Sequence, residues 1–192
     1  LGHQGDGIAA GPVFVPLTLP GELVEGVRDG SRLTDVRIVT PSPDRVAPPC
    51  RHFKSCGGCL LQHASDAFVS DWKLGVVRTA LEAQGLVADF RPVHTSPANS
   101  RRRAGISARR TKKGAIAGFH GRASGTIVEI PDCRLIHPDL KPALKVAERL
   151  AVLGGSRKGE LSVLATRTLN GLDIAVSGGK PLDVEGCANL QA

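Results

Sequence analysis

Pro48-Pro49-Cys50-Arg51-His52-Phe53-Lys54-Ser55-Cys56-Gly57-Gly58-Cys59-Leu60-Leu61-Gln62-His63 puts three thiols into ten positions, and a fourth cysteine, Cys133, stands far downstream in Pro131-Asp132-Cys133-Arg134. Soft thiolates select zinc, copper(I) or iron–sulfur clusters. Gly57-Gly58 lets the backbone turn tightly and bring amide N–H groups near sulfur. The stretch therefore predicts a domain folded around a metal centre.

The spacing narrows the choice of metal. Four-cysteine zinc sites usually come as two C-x2-C pairs. Here there is one such pair, one thiol five residues before it and one 73 residues after it. That asymmetry suits a [4Fe–4S] cube at least as well as zinc, because a cube takes four thiolates and accepts three from one loop. A zinc-ribbon nucleic-acid binder is the rival reading, and three unrelated free cysteines the bland one. The chain has five cysteines. An odd count argues against a secreted disulfide framework and for a reducing cytoplasm. Cys187 reads as an ordinary cysteine, since no base partner or glycine-rich surroundings mark it as a nucleophile.

Upstream of the cage, turns at Gly5-Asp6-Gly7, Leu19-Pro20-Gly21-Glu22 and Arg28-Asp29-Gly30-Ser31 separate short apolar runs at Val13–Val15, Leu23–Val27 and Val36–Val39. Such spacing predicts a small antiparallel barrel over residues 1–43. Pro41, Pro43, Pro48 and Pro49 mark a linker, and a second, α+β domain is expected over 44–192. Ser65 caps a predicted helix over 65–85 that Gly85 stops. Phe68, Trp72, Val76 and Ala80 form a wide apolar stripe on it. Strands are expected at Ala104–Ala108, Ala115–Phe119 and Thr126–Ile130. A helix follows over Leu140–Leu153, with Asp139 as N-cap and Pro142 in its first turn. Glu160–Thr166 and Leu172–Val176 flank Leu169-Asn170-Gly171, the strongest hairpin signal in the chain. The fold class is α+β, mainly β.

The formal charge of +7 is unevenly spread. Residues 1–49 carry four Arg against six acids, whereas no acid lies between Asp89 and Glu129. That interval holds Arg91, Arg101, Arg102, Arg103, Arg109, Arg110, Lys112, Lys113 and Arg122. Solvated charged faces usually mix signs, so the segregation points to a polyanion. Arg101, Arg102, Arg103, Arg109, Arg110, Lys112, Lys113 and Arg122 are the candidate RNA-binding residues.

C-x5-C-G-G-C-x2-Q-H, with Cys133 after Ile130, resembles the RNA uracil-C5 methyltransferases, and most closely their iron–sulfur branch that methylates ribosomal RNA. His3-Gln4-Gly5-Asp6-Gly7-Ile8-Ala9, Val13-Phe14-Val15-Pro16 and Leu19-Pro20-Gly21-Glu22 are similar to the family's N-terminal TRAM domain, a small RNA-binding β-barrel. Arg101-Arg102-Arg103-Ala104 resembles a basic strand of the central domain. Gly118-Phe119 resembles the next strand, with His120 where relatives often carry Arg. The resemblance implies that Cys50, Cys56, Cys59 and Cys133 hold a [4Fe–4S] cluster. It also implies that the helix near 65–85 packs on a C-terminal Rossmann-like catalytic domain. That domain would supply the S-adenosylmethionine site, the cysteine that attacks uracil C6 and a carboxylate base. A thiolate on C6 makes C5 nucleophilic enough to take a methyl group, after the base has been flipped out.

None of that catalytic apparatus is legible in these 192 residues. Gly154-Gly155-Ser156-Arg157-Lys158-Gly159 is glycine-rich but follows a helix, so it is not a strand-to-helix cofactor loop. The chain starts at Leu1 and contains no Met, and the expectation is therefore a piece of a longer enzyme, inactive alone. Two rivals are a stand-alone RNA-binding module with a structural metal and a TRAM-bearing radical methylthiotransferase. The second uses C-x3-C-x2-C spacing and carries its barrel at the other end. No apolar run reaches the ~18 residues that span a bilayer. A cytoplasmic monomer partnered by RNA, ribosomal by the resemblance, is expected.

Overall fold

The computed structural model describes residues 1–2, 4–182 and 184–191. The side chains of residues 187 and 189–191 lie outside that description, and with them the reading of Cys187, as does His3 of the barrel motif. The chain forms two compact units, Leu1–Pro49 with Cys59–Thr95, and Cys50–Gly58 with Ser96–Ala192. By packing, the linker and the predicted helix thus group with the first forty residues, whereas the sequence suggests a break near residue 44.

In the first unit, strands β1 (Gly7–Ala9), β2 (Val13–Val15), β3 (Leu23–Asp29) and β4 (Arg32–Thr40) form one sheet in the order β1-β2-β4-β3. The three predicted strands recur, but β3 runs on through Arg28-Asp29 and β4 starts at Arg32, so the turn between them shrinks to Gly30-Ser31. β1 has no counterpart in the sequence reading, and the ladder is not wholly antiparallel. β2 meets β4 in parallel at Phe14 and Arg32, helped by a 2.7 Å bond from the Phe14 N–H to the Ser31 carbonyl. A turn at Pro16-Leu17, with Leu17 at φ 59°, follows β2. Among the described residues β1 and β3 remain the edges of this sheet. Its small core is Leu19, Leu61 and Ala64, packed by Leu1, Phe68, Val69 and Trp72.

Helix α1 (Asp66–Glu82) begins as the sequence demands, with the Phe68 N–H donating to Ser65 Oγ at 3.2 Å. It ends on Gly85 at φ 69°, with Gly85 N–H bonded to Glu82 O and Leu86 N–H to Leu81 O. That pair of bonds is a Schellman closure, which needs a left-handed residue at Gly85. No α1 residue is fully buried. Its apolar stripe is only partly used: Phe68, Val69 and Trp72 pack inward, while Val77 is exposed.

The second unit is a five-stranded antiparallel sheet in the order β7-β6-β5-β8-β9. Its strands are β5 (Arg103–Arg110), β6 (Ala115–His120), β7 (Ile127–Val128), β8 (Leu161–Arg167) and β9 (Leu172–Ser177). β5 alternates cleanly, burying Ala104, Ile106 and Ala108 and turning Arg103, Gly105, Ser107 and Arg109 the other way. Helix α2 (Pro142–Gly154) lays Ala143, Leu144, Ala147 and Ala151 onto the apolar face. Alanine on both surfaces lets helix and sheet approach closely, which is how a core with few aromatics fills. Ile106, Ile130, Ile136, Leu140 and Val163 are essentially fully buried, each contributing about 1.5–3 kcal/mol.

One cap prediction is corrected. Asp139 does not cap α2; it lies in a 3-10 turn at Pro138–Leu140, and α2 starts at Pro142 with no side-chain cap. Proline fits the first helical position, and the Asp139 carboxylate instead takes a 2.7 Å bond from Arg167 Nε. That bond holds the Asp139 carboxyl below the usual range. A last helix, α3 (Val184–Gln191), was not anticipated from the sequence. Among the described residues no helix is long and apolar enough to cross a membrane.

Candidate metal centre and nucleic-acid surface

Cys50 and Cys56 sit on one loop of the second unit and Cys133 on another. No disulfide engages Cys50, Cys56, Cys59 or Cys133. The first loop winds on itself: Phe53 N–H bonds Cys50 O at 3.1 Å, and Cys56 N–H bonds His52 O at 2.7 Å. It is pinned to the end of β6 by Gly57 N–H to His120 O, 2.9 Å, and by Arg122 N–H to Ser55 O, 3.1 Å. The Arg122 guanidinium lies over the buried Phe53 ring, 5.3 Å from its centre.

The glycines act by close approach, not by unusual dihedrals. A Cβ on Gly57 would stand 3.0 Å from His120 O, and one on Gly58 3.0 Å from the Phe119 ring. The expected amide–sulfur contacts are present. Gly58 N–H points at Cys56 Sγ at 3.4 Å, and Leu135 N–H at Cys133 Sγ at the same distance. Such bonds stabilise thiolate ligands. Burial pushes the Cys56 thiol up, and the neighbouring Cys133 and Cys50 sulfurs push it further, against the pull of the Gly58 N–H and Arg122. Cysteine sulfurs that accept amide N–H bonds are the donor chemistry that a thiolate-held centre needs. Among the described residues no three His, Cys, Asp or Glu side chains converge on the site of a single metal ion. Cys59 falls in the first unit and is half-buried.

A clasp that the sequence gives no hint of joins the two cysteine loops. Asp132, beside Cys133, pairs with His52 Nε2 at 2.6 Å and Arg51 Nε at 2.9 Å. The His52 bond, aided by Arg51, keeps the Asp132 carboxyl below its usual range. The Cys133 loop is also stitched to the basic segment. Arg101 N–H bonds Leu135 O at 3.2 Å, Asn99 N–H bonds Arg134 O at 2.8 Å, and His137 N–H bonds Arg101 O at 2.8 Å.

The eight candidate cations do not form one patch. Arg101, Arg102 and Arg103 lie exposed at the start of β5, and Arg110, Lys112 and Lys113 at its far end. An eight-residue strand separates these poles by roughly 24 Å. Arg109 and Arg122 have structural engagements instead: Arg122 stacks on Phe53, and Arg109 pairs with Glu160. His120 meets the other oxygen of Glu160 at 2.7 Å. Burial alone would raise Glu160, but the bonds from His120 and Arg109 win and hold it low. An acid 51 residues from Arg109 thus enters a stretch that is acid-free in sequence.

No family model matches the chain. The chain is 43% identical over 185 residues to an uncharacterized RNA methyltransferase of Caulobacter vibrioides, covering 93% of this chain and 45% of that protein. It is 36% identical over 180 residues to the 23S rRNA (uracil(1939)-C(5))-methyltransferase RlmD of Halomonas elongata, covering 86% of this chain and 37% of the relative. In fold it is similar to the tRNA (uracil-54, C5)-methyltransferase of Pyrococcus abyssi, solved with S-adenosyl-L-homocysteine. The TM-score is 0.53 at 23% identity, over 93% of this chain and 45% of that one. The chain spans less than half the length of each of these relatives. Over nearly its whole length, then, this chain is similar to RNA methyltransferases, and its relatives include enzymes named for uracil C5 of 23S rRNA.

Proposed function

We propose that the chain is the RNA-gripping, cluster-bearing part of an S-adenosylmethionine-dependent methyltransferase that forms 5-methyluridine in ribosomal RNA. The observation that carries this reading is the 36% identity with RlmD along 86% of the chain. In it Cys50, Cys56 and Cys133 hold a [4Fe–4S] cluster, with Cys59, next to Gly58 in the chain, as fourth ligand. A cube takes one thiolate on each iron, so its sulfurs stand wider apart than the ligands of one zinc. When bound, the cluster supplies a fixed four-point cross-link. The Asp132 clasp and the amide–sulfur bonds orient the two loops that receive it. Arg101–Arg103 then hold RNA phosphates, which fixes the strand without reading sequence. The sheet of β1 to β4 serves as a TRAM-like second RNA contact. In this reading the methyl donor site, the attacking cysteine and the base are supplied from outside these 192 residues. The protein works as a cytoplasmic monomer.

The test is binding of a single-stranded RNA over a salt series. Replacing Arg101, Arg102 and Arg103 together by alanine should lower the log–log salt slope by about two, at ~0.7 per phosphate. An unchanged slope removes the three arginines from the interface. The chain with S-adenosylmethionine should leave uridine unmethylated; methyl transfer by it alone overturns the division of labour.

A further inference from the structure

A basic cleft of about 500 Å³ opens at the far pole of the second unit, lined by Arg110, Thr111, Lys112, Gly155, Ser156, Arg157 and Lys180. Three segments distant in sequence build it: the β5–β6 hairpin, the loop leaving α2, and the turn after β9. We infer that this cleft is a second phosphate-binding site, taking phosphodiester groups of the RNA at the pole opposite Arg101–Arg103. The inference rests on the RNA-binding reading above and extends it to Ser156, Arg157 and Lys180.

The lining contains four cations and no acid. Among the described residues, none of Arg110, Lys112, Arg157 and Lys180 enters an ion pair. That contrasts with Arg109 one position earlier, which Glu160 neutralises. The bland explanation is that cations gather at the C-terminus of α2, where the helix dipole is negative. A helix end carries only about half an elementary charge, so four cations exceed what it can offset. The excess positive charge is what a polyanion would meet.

The backbone holds these segments together independently of any ligand. Lys180 N–H bonds Gly154 O at 2.9 Å, and Gly155 N–H bonds Ala151 O at 3.1 Å. Gly179 makes the approach possible: it sits at φ 83°, and a Cβ there would collide with Leu161 and Gly154 O. Thr111 N–H closes the hairpin on Gly114 O at 2.8 Å. Gly159 N–H donates to Ser156 Oγ at 2.8 Å, which leaves the Ser156 hydroxyl proton to donate to a phosphate oxygen. The Arg157 and Lys180 side chains are exposed, so both charged ends are open to an incoming phosphate.

The experiment is binding of a labelled oligouridine to the chain from about 50 to about 200 mM salt, with Arg157→Gln/Lys180→Gln and, separately, Lys112→Glu. The double variant should melt like the parent and lower the salt slope by about 1.4, two contacts at ~0.7 each. Lys112→Glu should weaken binding further at low salt. An unchanged slope in both variants, while the Arg101–Arg103 variant still shows its loss, overturns the cleft and leaves the first pole standing. Absence of RNA binding by the parent chain overturns both. Should inorganic pyrophosphate raise the melting temperature of the parent but not of the double variant, with RNA slopes unchanged, the cleft serves a free polyphosphate and the RNA assignment fails.

Discussion

Cys133→Ser is expected to abolish the iron and acid-labile sulfide of the anaerobically reconstituted chain and to lower its melting temperature by about 10 °C or more. The size of the shift is diagnostic. If Cys133 were only a buried thiol, serine would cost about one hydrogen bond and a little packing, roughly 1–2 kcal/mol. In a chain of this length that is a shift of about 2–8 °C. If Cys133 ligates a cluster, its loss also removes binding free energy that is available only to the folded state. The damage then spreads along contacts already described. The Cys133 loop loses its anchor, Arg101 loses the strand-like partner at Leu135 and His137, and the RNA salt slope falls with the iron. Cys187→Ser serves as the control and should change neither. Iron at the parental level in Cys133→Ser would strike Cys133 from the ligand set, and zinc without iron in the parent would replace the cube by a zinc site.

Much of this was legible because local chemistry is short in range. The Ser65 cap, the Gly85 stop, the Asn170-Gly171 hairpin and the alternation of β5 each depend on a few neighbours, and each stands where the pattern puts it. Pairing between distant segments is not written that way. Nothing in Glu160 announces Arg109 and His120, and nothing in Asp132 announces His52, because those contacts exist only after β8 settles beside β5 and the cysteine loops meet. The same limit explains Asp139, a good cap by type that a distant arginine claims first. It also explains the basic stretch. Consecutive cations read as one surface, but a strand carries them to opposite ends, and cations from two further loops join one end.

The first unit should fail by a different route, through Glu22. Glu22→Ala is expected to destabilise it by about 3–5 kcal/mol, the range for removing one partner of a buried pair. The Glu22 side chain is fully buried. Its carboxylate takes a fork from Arg45, with Nη2 at 2.7 Å, and also accepts Leu19 N–H at 2.8 Å and Ser42 N–H at 3.1 Å. Arg45 in turn donates to Leu17 O at 2.8 Å, steadying the turn residue at φ 59°. Alanine would leave Arg45 with its Leu17 bond alone and take the carboxylate acceptor from two amides. Burial alone would raise the Glu22 carboxyl, but the Arg45 bond and the two amides outweigh it and hold it below the ordinary value. A carboxyl depressed by folding contributes stability above its unfolded value of about 4.3, and that contribution is lost as pH falls through the lower folded value. The single tryptophan reports on this unit, since Trp72 packs on the Leu19, Leu61 and Ala64 cluster. Its fluorescence should show the parent losing stability below about pH 4, with Glu22→Gln already weakened at neutral pH and much less sensitive to acid. Equal acid sensitivity in parent and Glu22→Gln would mean that other carboxyls govern the transition. The pair would then be one that proteins often replace by apolar contacts without loss, and the Leu19–Glu22 turn would have to be held by packing alone.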